Sequence, residues 1–112
     1  MTDSVLDPST FSEMRQLMGD ALVEFIHTYL DNSPKLIHTI ESGLAQNNPE
    51  AIYHSAHQLK GGSGSIGAMK LSSLSMEIEK IGKSGSTQGI SPLLNQLKSE
   101  YALLEAELKT FI

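Results

Sequence analysis

His57 and Lys60 stand three residues apart in the run Ala56-His57-Gln58-Leu59-Lys60-Gly61-Gly62-Ser63-Gly64-Ser65-Ile66-Gly67-Ala68, which also holds four of the chain's nine glycines. Imidazole is the one side chain that is partly neutral, and therefore nucleophilic, near pH 7. A lysine one helical turn further on can bring its ammonium beside whatever anion that ring carries. The chemistry these two residues suit is transfer of a phosphoryl group onto a ring nitrogen, with Lys60 compensating its charge. The glycines need a separate reason. Inside a helix each is about 1 kcal/mol worse than alanine. A segment that tolerates several gains from bareness, and close approach by another protein's backbone is one such gain.

That proposal requires a helix, and the apolar spacing supplies one. With about 100° per residue and Ile52 set to zero, Ser55, Ala56, Leu59, Ser63 and Ile66 cluster on one core-facing side. His57 falls at about 140°, Gly64 at about 120° and Gly61 at about 180°, all on the solvent side, with Lys60 on the flank at about 80°. Gly62 lies nearer the core, and Gly67 ends or bends the helix. Asn48 as N-cap, Pro49 at the first helical position and Glu50 behind it mark the start of this helix.

Around it, Thr10 with Glu13 reads as a capping box opening a short helix over 11–18. Leu22, Phe25, Ile26, Tyr29, Leu30, Leu36, Ile37, Ile40 and Leu44 recur at helical spacing across Pro34, giving two helices or one bent helix. Leu71, Leu74, Ile78 and Ile81 mark a further helix that stops at the Gly/Ser-rich stretch 82–89. Ser91-Pro92 caps a last one with Leu97, Tyr101, Leu104, Leu108 and Phe111 as its stripe. No run alternates with period two. The predicted fold is all-α: an antiparallel four-helix bundle with a short extra N-terminal helix, occupying 9–112 as one domain behind a flexible tail, 1–8.

Composition narrows the function. At 112 residues the chain has room for one core. A net charge of −5 with no Lys/Arg cluster argues against nucleic acid as a partner, and no apolar run approaches membrane-span length. The chain has no cysteine, which removes disulfides, thiolate metal sites and cysteine catalysis and suits the cytoplasm. A monomer is expected, since one bundle accounts for most apolar stripes.

The run from Ala56 to Ala68 closely resembles the signature of histidine phosphotransfer (HPt) domains, A-H-x-L-K-G-x-x-x-x-x-G-A, matching at His57, Leu59, Lys60, Gly61, Gly67 and both flanking alanines. Gly62 departs from the Ser or Ala often found there. The resemblance implies a helical bundle that takes a phosphoryl group from the aspartate of one receiver domain and hands it to another, without kinase activity. His57 would be the phosphoacceptor, Lys60 the phosphate-side cation and Gly61 the clearance residue. Glu79 matches the position of a family residue that hydrogen-bonds the second ring nitrogen; a surface pair with Lys83 at i+4 is the competing role. His54, Gln58, Gly61 and Gly64 would form the docking rim. The implied partners are receiver domains of response regulators and of a hybrid sensor kinase. No cofactor is expected in this chain, Mg²⁺ being supplied by the receiver. The alternative function is a non-transferring adaptor that binds a receiver or other regulator through the same face.

Three other signals carry less. Gly62-Ser63-Gly64-Ser65-Ile66-Gly67 satisfies G-x-G-x-x-G but follows a helix where a dinucleotide site needs a strand. Gly82-Lys83-Ser84 resembles the end of a phosphate-binding loop, but Glu77 stands where its first glycine belongs. His54 and His57, with His27 or His38, could chelate a metal; the preferred reading is no metal site, with His54 a surface residue.

Overall fold

The computed structural model describes residues 5–112, in which α1 (Pro8–Met18), α2 (Ala21–Ala45), α3 (Pro49–Ser65), α4 (Met69–Lys83) and α5 (Ile90–Leu108) are followed by a 3₁₀ turn (Lys109–Phe111). α2 to α5 are the four long helices of an all-α bundle, and α1 is the short extra one. Their inward stripes meet in one core built on Ile26, Ile40, Ile52, Leu59, Ile78 and Leu97.

Local chemistry sets the boundaries. α1 begins earlier than its capping-box reading predicts. Asp7, not Thr10, is the N-cap: its carboxylate accepts from the Thr10 N–H at 3.1 Å and the Thr10 hydroxyl at 2.5 Å. These hydrogen bonds hold the Asp7 carboxyl below its ordinary range. Pro8 decides between the two candidate caps, because its fixed φ suits the first helical position. The chain is also fixed earlier than the expected tail, 1–8, allows. Leu6 is buried and the Asp7 N–H donates to the Gly67 carbonyl at 2.7 Å, so the chain is held from there on; residues 1–4 lie outside the described residues.

α2 runs unbroken through Pro34. Its buried residues Ile26, Tyr29, Ser33, Ile37 and Ile40 stay in phase on both sides of the proline, and Pro34 itself faces solvent. Burial of one continuous stripe outweighs the single backbone bond that proline removes. α3 starts as its sequence predicts, with the Asn48 side chain accepting from the Ala51 N–H at 3.2 Å and Pro49 next. It stops at Gly67, whose φ of +88° suits only glycine well. α5 starts at Ile90, one residue before its predicted cap at Ser91, because Gly89 turns the chain with φ +89°. Pro92 then falls within the first turn, where an N–H would have no helical partner.

α3 and α4 are joined only by Ile66, Gly67 and Ala68, which makes them antiparallel neighbours. Glycine lets their backbones approach. A Cβ on Gly82 of α4 would stand 2.9 Å from the Pro49 carbonyl oxygen and 3.1 Å from the Tyr53 nitrogen. This seam carries the candidate site.

Candidate functional site

α3 presents His57 outward, its side chain 60% exposed, while α4 turns Glu79 into the seam, where only 8% of the residue is accessible. The two meet: His57 Nδ1 lies 2.6 Å from Glu79 Oε2. The other carboxylate oxygen, Oε1, takes the Lys60 ammonium at 2.7 Å. Lys60 and His57 are one turn apart on α3, so a single carboxylate on the neighbouring helix ties both down. Lys83 does not compete for it; its ammonium sits 5.9 Å above the Tyr53 ring.

Burial pushes the Glu79 carboxyl up, but the hydrogen bonds from Lys60 and His57 and their charges outweigh it and hold the group below its ordinary range. Glu79 is therefore ionised at neutral pH and only accepts. That fixes the neutral imidazole in the tautomer with Nδ1–H donating, which leaves Nε2 with its lone pair on the opposite edge of the ring.

The surroundings divide the other expected site residues. Gly61 is exposed, and a Cβ there would meet nothing within 4 Å. The bundle itself makes no demand for glycine at that position. Gly64 differs from its expected outward placement. It is half-buried against α4, and its Cβ would stand 3.4 Å from the Ser72 hydroxyl. The wheel put it at about 120°, but α4 covers that side of α3, which a wheel drawn for one helix does not record. Gly62 lies over Tyr29, whose ring would be 3.5 Å from a Cβ. Gln58 is exposed at the rim of a groove of about 450 Å³ between α2 and α3, lined also by Phe25, Tyr29, Leu36 and Gly62. His54 is exposed, 3.7 Å from Glu50, and its ring packs on Tyr53.

Three contacts around the site carried no sequence signal. Tyr53 places its ring 6.4 Å from the His57 ring, one turn back along α3. Ser72 donates to the Lys60 carbonyl at 3.0 Å. Tyr29 and Ser63 share a buried hydroxyl bond of 2.7 Å beneath the groove. Each contact depends on which turn of one helix faces which turn of another. Among the described residues no three His, Asp or Glu side chains gather as metal ligands, and no helix is long and apolar enough to cross a membrane.

Comparison with known proteins shows what the whole chain resembles. The Hpt domain model matches residues 24–107. Histidine-containing phosphotransfer protein 4 of Arabidopsis thaliana is 28% identical over 107 residues, covering 90% of this chain and 84% of that protein. Histidine-containing phosphotransfer protein 5 of the same plant is 27% identical over 106 residues, covering 88% of this chain and 68% of that one. The crystal structure of histidine-containing phosphotransfer protein B from Pseudomonas aeruginosa PAO1 superposes with a TM-score of 0.92 at 25% identity, over 97% of this chain and 95% of that one.

Proposed function

From the premise that this chain belongs to the Hpt domain family, we propose that it is a phosphorelay carrier whose His57 takes a phosphoryl group from the aspartate of one receiver domain and gives it to another. The observation that carries this reading is the clamp on Nδ1. With Glu79 Oε2 2.6 Å from Nδ1, the ring is held by one nitrogen while the side chain remains largely exposed. In the forward step Nε2 attacks the phosphorus in line. The Nε2–P bond forms as the P–O bond to the donor aspartate breaks, and that aspartate leaves as a carboxylate. Nδ1 keeps its proton, so the ring becomes a cation, and Glu79 already faces it with the opposite charge. When a second aspartate attacks, the N–P bond breaks with its electron pair going to Nε2, and this charged ring leaves readily as the neutral Nδ1–H imidazole, which makes the transfer reversible.

Lys60 compensates charge on the phosphoryl group. Its ammonium, now on Glu79 Oε1, has the reach to serve an anion on Nε2 by rotation of its partly exposed side chain. The receiver supplies the aspartate and the Mg²⁺; this chain supplies position and charge, which are most of what phosphoryl transfer needs. Gly61 admits the receiver backbone next to His57, with Gln58 and His54 at the rim. The partners under this reading are receiver domains of a hybrid kinase and of a response regulator, met by a monomer in the cytoplasm.

The test is direct. A receiver domain charged with radiolabelled phosphoryl is mixed with the protein, and acid-labile label is expected on His57. His57→Gln should take up none while keeping its helical content. Undiminished labelling of that variant overturns the assignment; binding of the receiver without any transfer by the unaltered protein would point to an adaptor.

A further inference from the structure

We propose that Ser72 is a positioning residue for phosphoryl transfer at His57, a role that rests on the phosphocarrier reading above. Ser72 lies on α4 seven residues before Glu79, so the two share a face two turns apart. Its hydroxyl donates to the Lys60 carbonyl at 3.0 Å. Within a helix that carbonyl also accepts from the N–H four residues on, and Ser72 takes its second lone pair. Gly64 lies beside this contact, where a Cβ would touch the Ser72 oxygen at 3.4 Å. Ser75, about one turn further along α4, donates instead to the Leu71 carbonyl of its own helix at 2.8 Å.

Glu79 sits between two fixed points. Beyond it, the Gly82 backbone rests against Pro49 and Tyr53. Before it, Ser72 bonds the main chain of Lys60 itself. The first contact is close backbone packing, which sets how closely the helices approach and makes no directional bond from a side chain. The second is directional, and it resists sliding of α4 along α3. The site needs that resistance. The Glu79 oxygens stand 2.6 Å from His57 Nδ1 and 2.7 Å from Lys60 Nζ. A slip of about 0.5 Å takes either contact out of the range of a short charge-assisted hydrogen bond. Losing the Nδ1 contact frees the ring to adopt the other tautomer, with its proton on the attacking nitrogen. Ser72 never touches the ring, so its effect falls on the rate within the complex and not on receiver affinity.

Ser72→Ala and Ser72→Thr decide the matter. The first readout is the nitrogen spectrum of His57 in uniformly labelled protein, which reports the tautomer without any receiver. The second is transfer from a phosphoryl-charged receiver, at saturating concentration and through the half-saturation point. Ser72→Ala is expected to lower the saturating rate about fivefold, the size of one neutral hydrogen bond, with half-saturation unchanged and the Nδ1–H tautomer mixed with the other. Ser72→Thr, which keeps the hydroxyl, should restore both. A Ser72→Ala protein that melts earlier but keeps tautomer and rate makes Ser72 a packing residue only and overturns the proposal. A raised half-saturation point at unchanged rate makes it a docking residue and also overturns it. If the unaltered protein takes no label from any receiver, the phosphocarrier reading fails by itself, and the tautomer comparison still decides whether Ser72 fixes the ring.

Discussion

Bare backbone occurs on two sides of the site, and the two sides use it differently. At Gly61 the missing side chain opens onto solvent, with no atom within 4 Å of where a Cβ would be. At Gly82 it opens onto the neighbouring helix, with α3 backbone atoms at 2.9 to 3.3 Å, and at Gly64 a Cβ would touch the Ser72 hydroxyl of α4 at 3.4 Å. Inward bareness lets two helices approach until a carboxylate on one can hold a histidine and a lysine on the other. Outward bareness does nothing for the fold and leaves room for a second protein. One residue type thus assembles the site from behind and exposes it in front. The two roles separate by experiment, because inward bareness at Gly82 is tied to stability and outward bareness at Gly61 is not.

The largest effect is expected at the inward side. Gly82→Val places its side chain against backbone atoms of Pro49 and Tyr53, with even the Cβ only 2.9 Å from the Pro49 oxygen. Backbone at a capped helix start has little room to yield. Overpacking of this kind should cost about 3 kcal/mol, seen as a lower urea midpoint with unchanged slope. A fully stable Gly82→Val would mean that the seam adjusts freely, and the distinction between inward and outward glycine would collapse.

The next effect lies on the carboxylate that the seam holds. The folded-state pKa of Glu79 is lowered, so the folded protein favours its charged form. The stability this adds is fully present above the unfolded glutamate range and is lost as pH falls through the folded-state value. Glu79→Gln should therefore be less stable than the parent by about 1 to 3 kcal/mol at pH 7, from two charged hydrogen bonds weakened. The difference should hold down to about pH 5 and shrink below the unfolded glutamate pKa near 4.3. Denaturant titrations of both proteins from pH 7 to 3 measure it. A gap that stays constant to pH 3 would show that burial, and not the ionised bridge to His57 and Lys60, holds Glu79 in place.

How much of this could be read from the chain depends on how far each contact reaches. The Asn48-Pro49 start and the Gly67 stop of α3 are local chemistry, and both stand in the sequence. So does the outward direction of His57, set by the apolar residues of its own helix. Asp7 and Thr10 are both good caps, and only the fixed φ of Pro8 chooses between them. The unbroken α2 follows from a stripe that keeps its phase across Pro34, a tertiary reward that no proline rule contains. The meeting of Glu79 with His57 was implied by family resemblance, since spacing alone left Lys83 as an equal partner. Gly64, Ser72 and Tyr53 were illegible for one reason. A helical wheel gives an angle about one axis, and about 60° separates Gly61 from Gly64. Whether that arc faces water or α4 depends on where the next helix lies.

The smallest expected effect is the most diagnostic of the outward side. Gly61 has ordinary helical geometry, no positive φ and open space where a Cβ would go. Gly61→Ala and Gly61→Gln should therefore raise stability, by about 0.5 to 1 kcal/mol, as replacement of an interior helix glycine normally does. The outward role predicts that this gain comes with a functional loss confined to protein partners. His57 in Gly61→Gln should still be labelled by a small donor such as phosphoramidate at the parent rate, because the Glu79 clamp behind it is untouched. Transfer from a charged receiver should fall, with a raised half-saturation point. Gly61→Ala, which adds only one carbon, should fall between the parent and Gly61→Gln. Equal loss with both donors would place Gly61 among the residues that shape the ring's own environment, and a loss of stability would place it with Gly82. Either result removes the outward half of the comparison, which rests on Gly61 being bare where the bundle makes no demand for glycine.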